Sequence, residues 1–566
     1  VSISNLFAIV PAQVVRRSFD MIIEKIEQYQ ASKSGILQTQ ILEEFTHQIL
    51  IYGMLLLGMA ILRGLFMFFM RQTIIVMSRL IEYDQKNEIY SHLQTLPLTF
   101  YRFNNTGDLM ARISEDVSKV RMYFGPAVMY GLNLITMSIL CIVIMLNINV
   151  KLTLFALIPF PILSLLIYIV NNKIEKHSSA IQQQLSNIST FIQEAFSGIR
   201  VIKSFAREND SISKFETENE LYKQKQIKLL YVNSAFTPIV MVLVGLSVII
   251  VVYVGGLELK AGRLTIGNIA EFIMYVTMLT WPFTSLGWIS SITKRAEASQ
   301  KRINELLAQK TDLVSVDSLK KCINGKIEFR NVSLIYPDSG IKALQNISFV
   351  LEKGHSLAIF GNTGSGKTTL ANLICRLIDP TEGEILIDDK PIKSYDIESL
   401  RSQIGYVPQD VFLFSDTISN NIGFGLDKYD YNQIIEYADK ADLTQNINSF
   451  PLKYDTILGE RGINLSGGQK QRVSIARALI TKPQIIILDD CLSAVDTHTE
   501  NIILKNLENE MLGKTSIIIS HRISSAKLAD HIIVLEEGRI IEQGTQDELM
   551  SGNTKFRQLF ELQSRD

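Results

Sequence analysis

The hydrophobic texture of the chain changes near its middle. In the first half, long apolar runs cover residues 49–70, 127–146, 152–170, 236–254 and 269–289. Each has roughly the 20 residues that a helix needs to cross a bilayer while satisfying its own backbone. A sixth apolar run, 1–15, is shorter and reads as the second half of a first transmembrane helix whose beginning precedes Val1. The connections 71–125 and 171–230 are long, whereas a tight turn joins 146 to 152. Within the second connection, Ile181, Leu185, Ile188, Phe191, Ile192 and Ala195 recur at helical spacing. That spacing predicts helices that continue beyond the membrane.

The second half has a different rhythm. A polar linker, 308–325, gives way to short strand-like runs at 327–329, 356–360, 485–488 and 515–520, with a helix-like run at 369–377. The expected fold is multi-domain: an all-α transmembrane helical domain over 1–307, with six helices and the first truncated, then the linker, then an α/β P-loop domain over 326–566.

Composition supports the division. Hydrophobic residues make up 47% and mean hydropathy is +0.17, high for a soluble chain of 566 residues with 20% charged residues. That length also exceeds one ordinary core. The net charge of −1 gives no field for nucleic acid, so no nucleic-acid partner is expected. Basic residues crowd the two long connections, from Arg71 to Arg121 and from Lys173 to Lys228, and place them on the cytosolic side. The 4 cysteines have no metal-site or disulfide spacing, consistent with a reducing compartment.

The candidate chemistry lies in the second half. Gly361, Asn362, Thr363, Gly364, Ser365, Gly366, Lys367 and Thr368 follow a strand-like run and open a helix with Thr369. Glycines let backbone N–H groups wrap a phosphate at the helix N-terminus. Lys367 suits the β- and γ-phosphates of ATP, and the Thr368 hydroxyl suits Mg²⁺. Asp489 ends the run 485–488 and supplies a carboxylate to the same Mg²⁺. Gln409 suits contact with the metal and the attacking water. In Leu465-Ser466-Gly467-Gly468-Gln469, preceded by Gly459-Glu460-Arg461-Gly462, Ser466, Gly467, Gly468 and Gln469 offer a hydroxyl and N–H groups to a γ-phosphate. Tyr336 is positioned to stack on adenine. His521, after the run 515–520, is a switch histidine, and Asp490 is the candidate to polarise water.

These motifs, in this order, resemble the ABC exporter family, specifically bacterial half-transporters of the multidrug and lipid-export type. The likeness covers essentially the whole chain. Leu98-Thr99-Phe100-Tyr101, Asn105-Thr106-Gly107-Asp108-Leu109 and the stretch from Phe196 to Lys203 look like the family's cytosolic loops, and Ser493-Ala494-Val495-Asp496 looks like its D-loop. The resemblance implies a second half-transporter as partner, in a hetero- or homodimer. Two ATP molecules would lie between the glycine loop Gly361–Thr368 (Walker A) of one chain and Leu465–Gln469, which looks like the family's signature, of the other. It also implies alternating access, driven through loops near Asn105 and Phe205-Ala206-Arg207, in the bacterial cytoplasmic membrane with the ATPase domain in the cytosol. Membrane lipid and a hydrophobic or amphipathic substrate (drug, lipid or peptide) are the expected partners.

One position departs from the pattern. Most members carry Glu after the Walker B Asp, and this chain has Asp490. That marks a degenerate-site, mainly regulatory subunit of a heterodimer as the alternative; an ABC-type channel is a further one. For substrate contacts, Asn133, Thr136, Ser138, Thr277 and Thr280 are candidates, although helix–helix hydrogen bonding is the more ordinary use of such residues. Arg63, a charge inside an apolar run, is a stronger candidate. Glu271 is expected to be wet, near the outer end of its helix.

Overall fold

Helix lengths overshoot the apolar runs. In the computed structural model, which describes residues 1–32, 35–311, 313, 319–459 and 462–563, the first half comprises α1 (Ser2–Ala31), α2 (Gly35–Thr95), a short α3 (Leu98–Phe103), α4 (Thr106–Ile148), α5 (Val150–Ser197), a short α6 (Ile199–Ser204), α7 (Glu208–Lys260) and α8 (Ile266–Leu307). Among the described residues, α2, α4, α5, α7 and α8 are long and apolar enough to cross a membrane. The shortest of these, α8, has 42 residues. At 1.5 Å per residue it runs about 63 Å, against a hydrocarbon core of about 30 Å. Each such helix therefore carries a polar extension, which explains the helical spacing read in 181–195.

The tight turn is real. α4 ends at Ile148, Asn149 is extended, and its side chain accepts the Leu152 N–H at 2.9 Å to start α5. Within α4 two π-helical turns, Arg112–Asp116 and Tyr123–Ala127, interrupt the α geometry. The second contains Pro126, whose missing N–H loosens the ladder. Neither turn is readable from hydropathy.

By its contacts the chain divides into two units, residues 1–94 with 107–308, and residues 95–106 with 309–566. In the first, α1 packs on α8 and α4. Its apolar run stops at residue 15, but the helix continues because the charges beyond find partners. Arg16 pairs with Glu271 at 3.3 Å, and Asp20 accepts the Gly267 N–H at 3.1 Å. Glu271 is 0% exposed and also accepts the Tyr275 hydroxyl at 2.7 Å. The wet position expected for it is therefore wrong; α1 covers it. Thr136 accepts from Asn5 at 2.6 Å, a helix–helix bond, and Thr277 and Thr280 donate to carbonyls of their own helix. Arg63 lies exposed on α2, with no ion pair among the described residues.

The second unit has two sheets. β1 (Ile327–Ile335), β2 (Lys342–Leu351), β4 (Glu382–Ile387) and β5 (Lys390–Pro391) form an antiparallel sheet in the order β2-β1-β4-β5. A six-stranded sheet has the order β10-β9-β3-β8-β7-β6, from β3 (Ser356–Gly361), β6 (Ile404–Val407), β7 (Ile485–Asp489), β8 (Thr515–Ile519), β9 (His531–Glu536) and β10 (Arg539–Gly544). All its pairings are parallel except β9 with β10. Every residue of β7 and β8 is buried, the continuous apolar signature of a parallel sheet covered on both faces.

Removing Arg16 strands the buried Glu271 carboxylate. Arg16→Ala is expected to destabilise the membrane unit by about 3 kcal/mol, and the double variant with Glu271→Gln by less. Thermal unfolding in nanodiscs checks this; equal stability of Arg16→Ala and the parent would contradict it.

Candidate functional site

Strand order builds the site. β3, β8, β7 and β6 are neighbours and parallel, so the chain leaves all four at one edge of the sheet. Ligand sites in open α/β sheets lie at that carboxyl edge. Gly361 ends β3, His521 follows β8, Asp489 ends β7 and Gln409 follows β6. Adjacent strands are about 4.8 Å apart, so residues far apart in sequence meet within about 15 Å.

The glycine loop from Gly361 to Gly366 joins β3 to α9 (Lys367–Ile374). Gly364 and Gly366 have φ of +83° and +100°, which side chains resist. At Gly366 there is a second reason: a Cβ would lie 2.5 Å from the Ala343 carbonyl oxygen. Lys367 is buried and donates to the carbonyls of Gly361 and Asn362, each at 2.9 Å. Burial pulls its ammonium below the usual range, opposed by Asp489 and Asp490. Asn362 and Thr363 are exposed on the loop, and the buried Ser365 hydroxyl has no hydrogen-bond partner.

Asp489 is 1% exposed. Burial raises its carboxyl above the usual range, offset by a hydrogen bond with Thr368 and by Lys367, while Asp490 adds to the rise. Its Oδ2 is buried without a partner. A buried carboxylate oxygen left unpaired beside a threonine hydroxyl fits a Mg²⁺ site of oxygen ligands. Gln409 donates to Asp490 Oδ2 at 3.5 Å, which brings the third expected ligand alongside.

Asp490 sits in the left-handed region at φ +47°, tolerated by Asp better than by most residues. Its N–H donates to the Ile519 carbonyl at 2.8 Å. Its own carbonyl accepts the Ser493 hydroxyl at 3.0 Å and Gln471 Nε2 at 3.4 Å. His521 is held below its usual pKa by burial first and by Lys367 second, while Asp490 opposes the shift. Its ring is thus biased neutral, able to accept a hydrogen bond.

The expected adenine platform, Tyr336, follows β1, and its hydroxyl lies 3.1 Å from Thr369 Oγ1. Arg102, on α3, stands 4.3 Å from the ring centroid and pairs with Asp338 at 3.3 Å. One face of the ring is therefore occupied by a cation.

The signature lies elsewhere in the unit. Ser466 caps α10 (Gly467–Ile480): its hydroxyl accepts the Gln469 N–H at 3.3 Å, while its N–H donates to Gln469 Oε1 at 2.9 Å. This reciprocal cap leaves the Ser466 hydroxyl proton free to donate. Among the described residues, no hydrogen bond joins Ser466, Gly467, Gly468 or Gln469 to the glycine loop. Glu460 and Arg461 lie outside the described residues.

Sequence reasoning missed two residues. Gln471 and Arg522 both bond the loop 493–496; Arg522 donates to the Ser493 carbonyl at 3.1 Å and pairs with the buried Glu500. The signal available was adjacency: Gln471 is two residues after Gln469 and Arg522 directly follows His521.

The glycine loop with its buried lysine at the carboxyl edge of a parallel sheet, in a chain that also carries apolar helices long enough to span a bilayer, has the character of a membrane-bound P-loop ATPase. The family model "ABC transporter transmembrane region" matches residues 3–283, and the model "ABC transporter" matches 344–493. A probable multidrug resistance ABC transporter ATP-binding/permease protein, YheI of Bacillus subtilis, is 36% identical over 493 residues, covering 86% of this chain and 83% of its own. An ATP-dependent lipid A-core flippase of Syntrophus aciditrophicus is 34% identical, covering 85% and 80%. A solved bacterial Atm1-family ABC exporter with ATP bound shares the fold at a TM-score of 0.75, with 23% identity and 99% coverage of both chains. This chain therefore belongs to the ABC transporter family, as a bacterial exporter half-transporter with an ATPase fused to its membrane region.

The two loop glycines separate conformational strain from steric collision. Gly364→Ala meets nothing within 4 Å, so it is expected to cost only the left-handed penalty of about 1–2 kcal/mol. Gly366→Ala must also displace the Ala343 backbone, and is expected to cost more and to abolish binding of a fluorescent ATP analogue. Equal, mild effects of the two in nucleotide-free unfolding and in binding would contradict this.

Proposed function

We propose that this chain is one half of a dimeric exporter, in which ATP binding and hydrolysis drive a hydrophobic or amphipathic substrate across the bacterial cytoplasmic membrane by alternating access. The observation that carries the reading is the split of the phosphate groups. The glycine loop, Asp489, Asp490, Gln409 and His521 share one sheet edge, whereas the signature sits at the capped start of α10, and among the described residues no hydrogen bond joins Ser466–Gln469 to the glycine loop. A signature of this chemistry serves a nucleotide held by another chain. Two nucleotide units closing on two ATP molecules would then form the tight state, and hydrolysis would release it.

Within one site, Lys367 and the loop N–H groups hold the β- and γ-phosphates, and Tyr336 offers its ring to adenine. Thr368, Gln409 and Asp489 would hold Mg²⁺, which when bound neutralises charge on the phosphate oxygens. Asp490 orients the attacking water, with Gln409 beside it. His521, biased neutral, accepts or positions a proton at the γ-phosphate. The named relatives are bacterial, a probable multidrug resistance transporter and a lipid A-core flippase, which supports an amphipathic substrate. A cavity of about 880 Å³ between α5 and α8 suits one: Tyr168 and Trp288 stand beside Asn171, Asn172, Lys294 and Arg295 in its wall.

A second reading rests on Asp490 alone. Its carboxylate lies one methylene, about 1.5 Å, further back than glutamate would place it, and a displacement of that size costs about 100-fold in rate. In a heterodimer, this chain would then supply the slow site while its intact signature completes the fast one.

Two variants test these readings. Lys367→Ala is expected to abolish ATP-driven uptake of substrate into inverted vesicles, where the ATPase faces the medium, while the protein stays folded in the membrane; uptake at the parent rate would remove the proposal. Asp490→Glu in the lone chain is expected to raise turnover by up to about 100-fold if the native site is slow. Robust turnover by the unaltered chain alone, unimproved by glutamate, would exclude the degenerate-site reading.

A further inference from the structure

Gln471 is a polar side chain buried to 6% exposure on α10, behind the signature. It contributes three hydrogen bonds, all to the segment that carries the water-orienting carboxylate. Its Oε1 accepts the Ala494 N–H at 3.0 Å, and its Nε2 donates to Ser493 Oγ at 3.0 Å and to the Asp490 carbonyl at 3.4 Å. The signature backbone lies directly on the same loop: a Cβ on Gly468 would stand 2.7 Å from the Ala494 carbonyl oxygen. From the other side Arg522, next to His521, donates to the carbonyls of Ser493 at 3.1 Å and Val495 at 3.4 Å. The Asp490 backbone, at φ +47°, is thus held between β8 through the Ile519 carbonyl and α10 through Gln471.

We propose that Gln471 is a positioning residue that ties the signature helix to the Asp490 carboxylate. The inference rests on the two-chain reading above. There, the signature grips the ATP held mainly by the partner, while Asp490 serves the ATP on its own glycine loop. A shift of α10 when the signature meets a γ-phosphate moves the Asp490 carbonyl through Gln471, so occupancy of one site tunes the geometry of the other. A left-handed, non-glycine residue is suited to this role, because its backbone conformation persists only while surrounding bonds hold it. The loop bonds from Arg522 carry the same displacement towards His521.

Gln471→Met tests the role, since methionine keeps the length and bulk of glutamine and removes every hydrogen bond. In the full-length protein in nanodiscs, hydrolysing MgATP, the expected result is a fall in kcat of about tenfold or more, with half-saturating ATP changed less than about threefold and the unfolding temperature within about 2 °C of the parent. Gln471→Glu keeps the acceptor for Ala494 but turns a carboxylate on the Asp490 carbonyl, and is expected to be slower still. Coupling is read by a cycle with Ser466→Ala. The double variant is expected to be no more than about threefold slower than the slower single variant, whereas independent roles would multiply. A Gln471→Met protein with parental kcat overturns the proposal. So does a multiplicative cycle, or a loss of kcat matched by equal losses of ATP affinity and thermal stability. Lys367→Ala in the same preparation separates the two levels. Its inactivity beside a normal Gln471→Met removes only this inference, whereas its full activity removes the ATP-driven reading as well.

Discussion

Four adjacent parallel strands, β3, β8, β7 and β6, are the constraint on which the nucleotide site depends. Their main-chain pairing fixes the spacing of four chain exits, and each exit carries one functional group. No single contact between those groups is strong: the Gln409–Asp490 bond is 3.5 Å long, and Asp489 Oδ2 is unpaired. The sheet supplies the precision, and at Asp489 it leaves one carboxylate oxygen unpaired. Where the backbone must turn sharply to aim a group, at Gly364, Gly366 and Asp490, it enters the left-handed region, and at Asp490 the Ile519 carbonyl holds it there.

The same logic explains why charge is buried in both units. In the membrane unit, Glu271 is acceptable at 0% exposure because Arg16 and Tyr275 reach it from α1 and from its own helix. In the nucleotide unit, burial raises the Asp489 carboxyl, and its Oδ2 has no hydrogen-bond partner. The first carboxylate is matched by an arginine and a hydroxyl, and the second keeps one oxygen unpaired, the feature on which the proposed metal role rests. The helix α3, encoded between the long helices α2 and α4, belongs by its contacts to the nucleotide unit. Arg102 on that helix lies over Tyr336, so the ring expected to serve as the adenine platform already carries a cation.

Much of this was legible in the sequence, for a physical reason. The glycine loop, Asp489, His521 and the signature are local motifs whose geometry is set within a few residues, and apolar runs report spanning helices directly. The misses are non-local. Glu271 looked wet because Arg16 lies 255 positions away. Gln471 and Arg522 gave no signal of their own, since a lone Gln or Arg acquires meaning only when folding brings the 493–496 loop against it. The π turns in α4 were equally silent, because hydropathy does not register a shift in hydrogen-bond partner. Arg102 over the Tyr336 ring was silent too, since the two residues lie more than 200 positions apart in the chain.

The central claim is that one chain holds only part of each phosphate site and that ATP joins two. The most direct measurement uses an ATP analogue with a photoreactive γ-phosphate, applied to mixed assemblies of an unaltered chain and a tagged Lys367→Ala chain, with peptide mapping of the label. The account predicts label on the signature peptide, including Ser466–Gln469, of the tagged chain whose own loop is disabled, and only when the unaltered chain is present. Label confined to the glycine loop of each chain, with none on any signature peptide in any mixture, would contradict it.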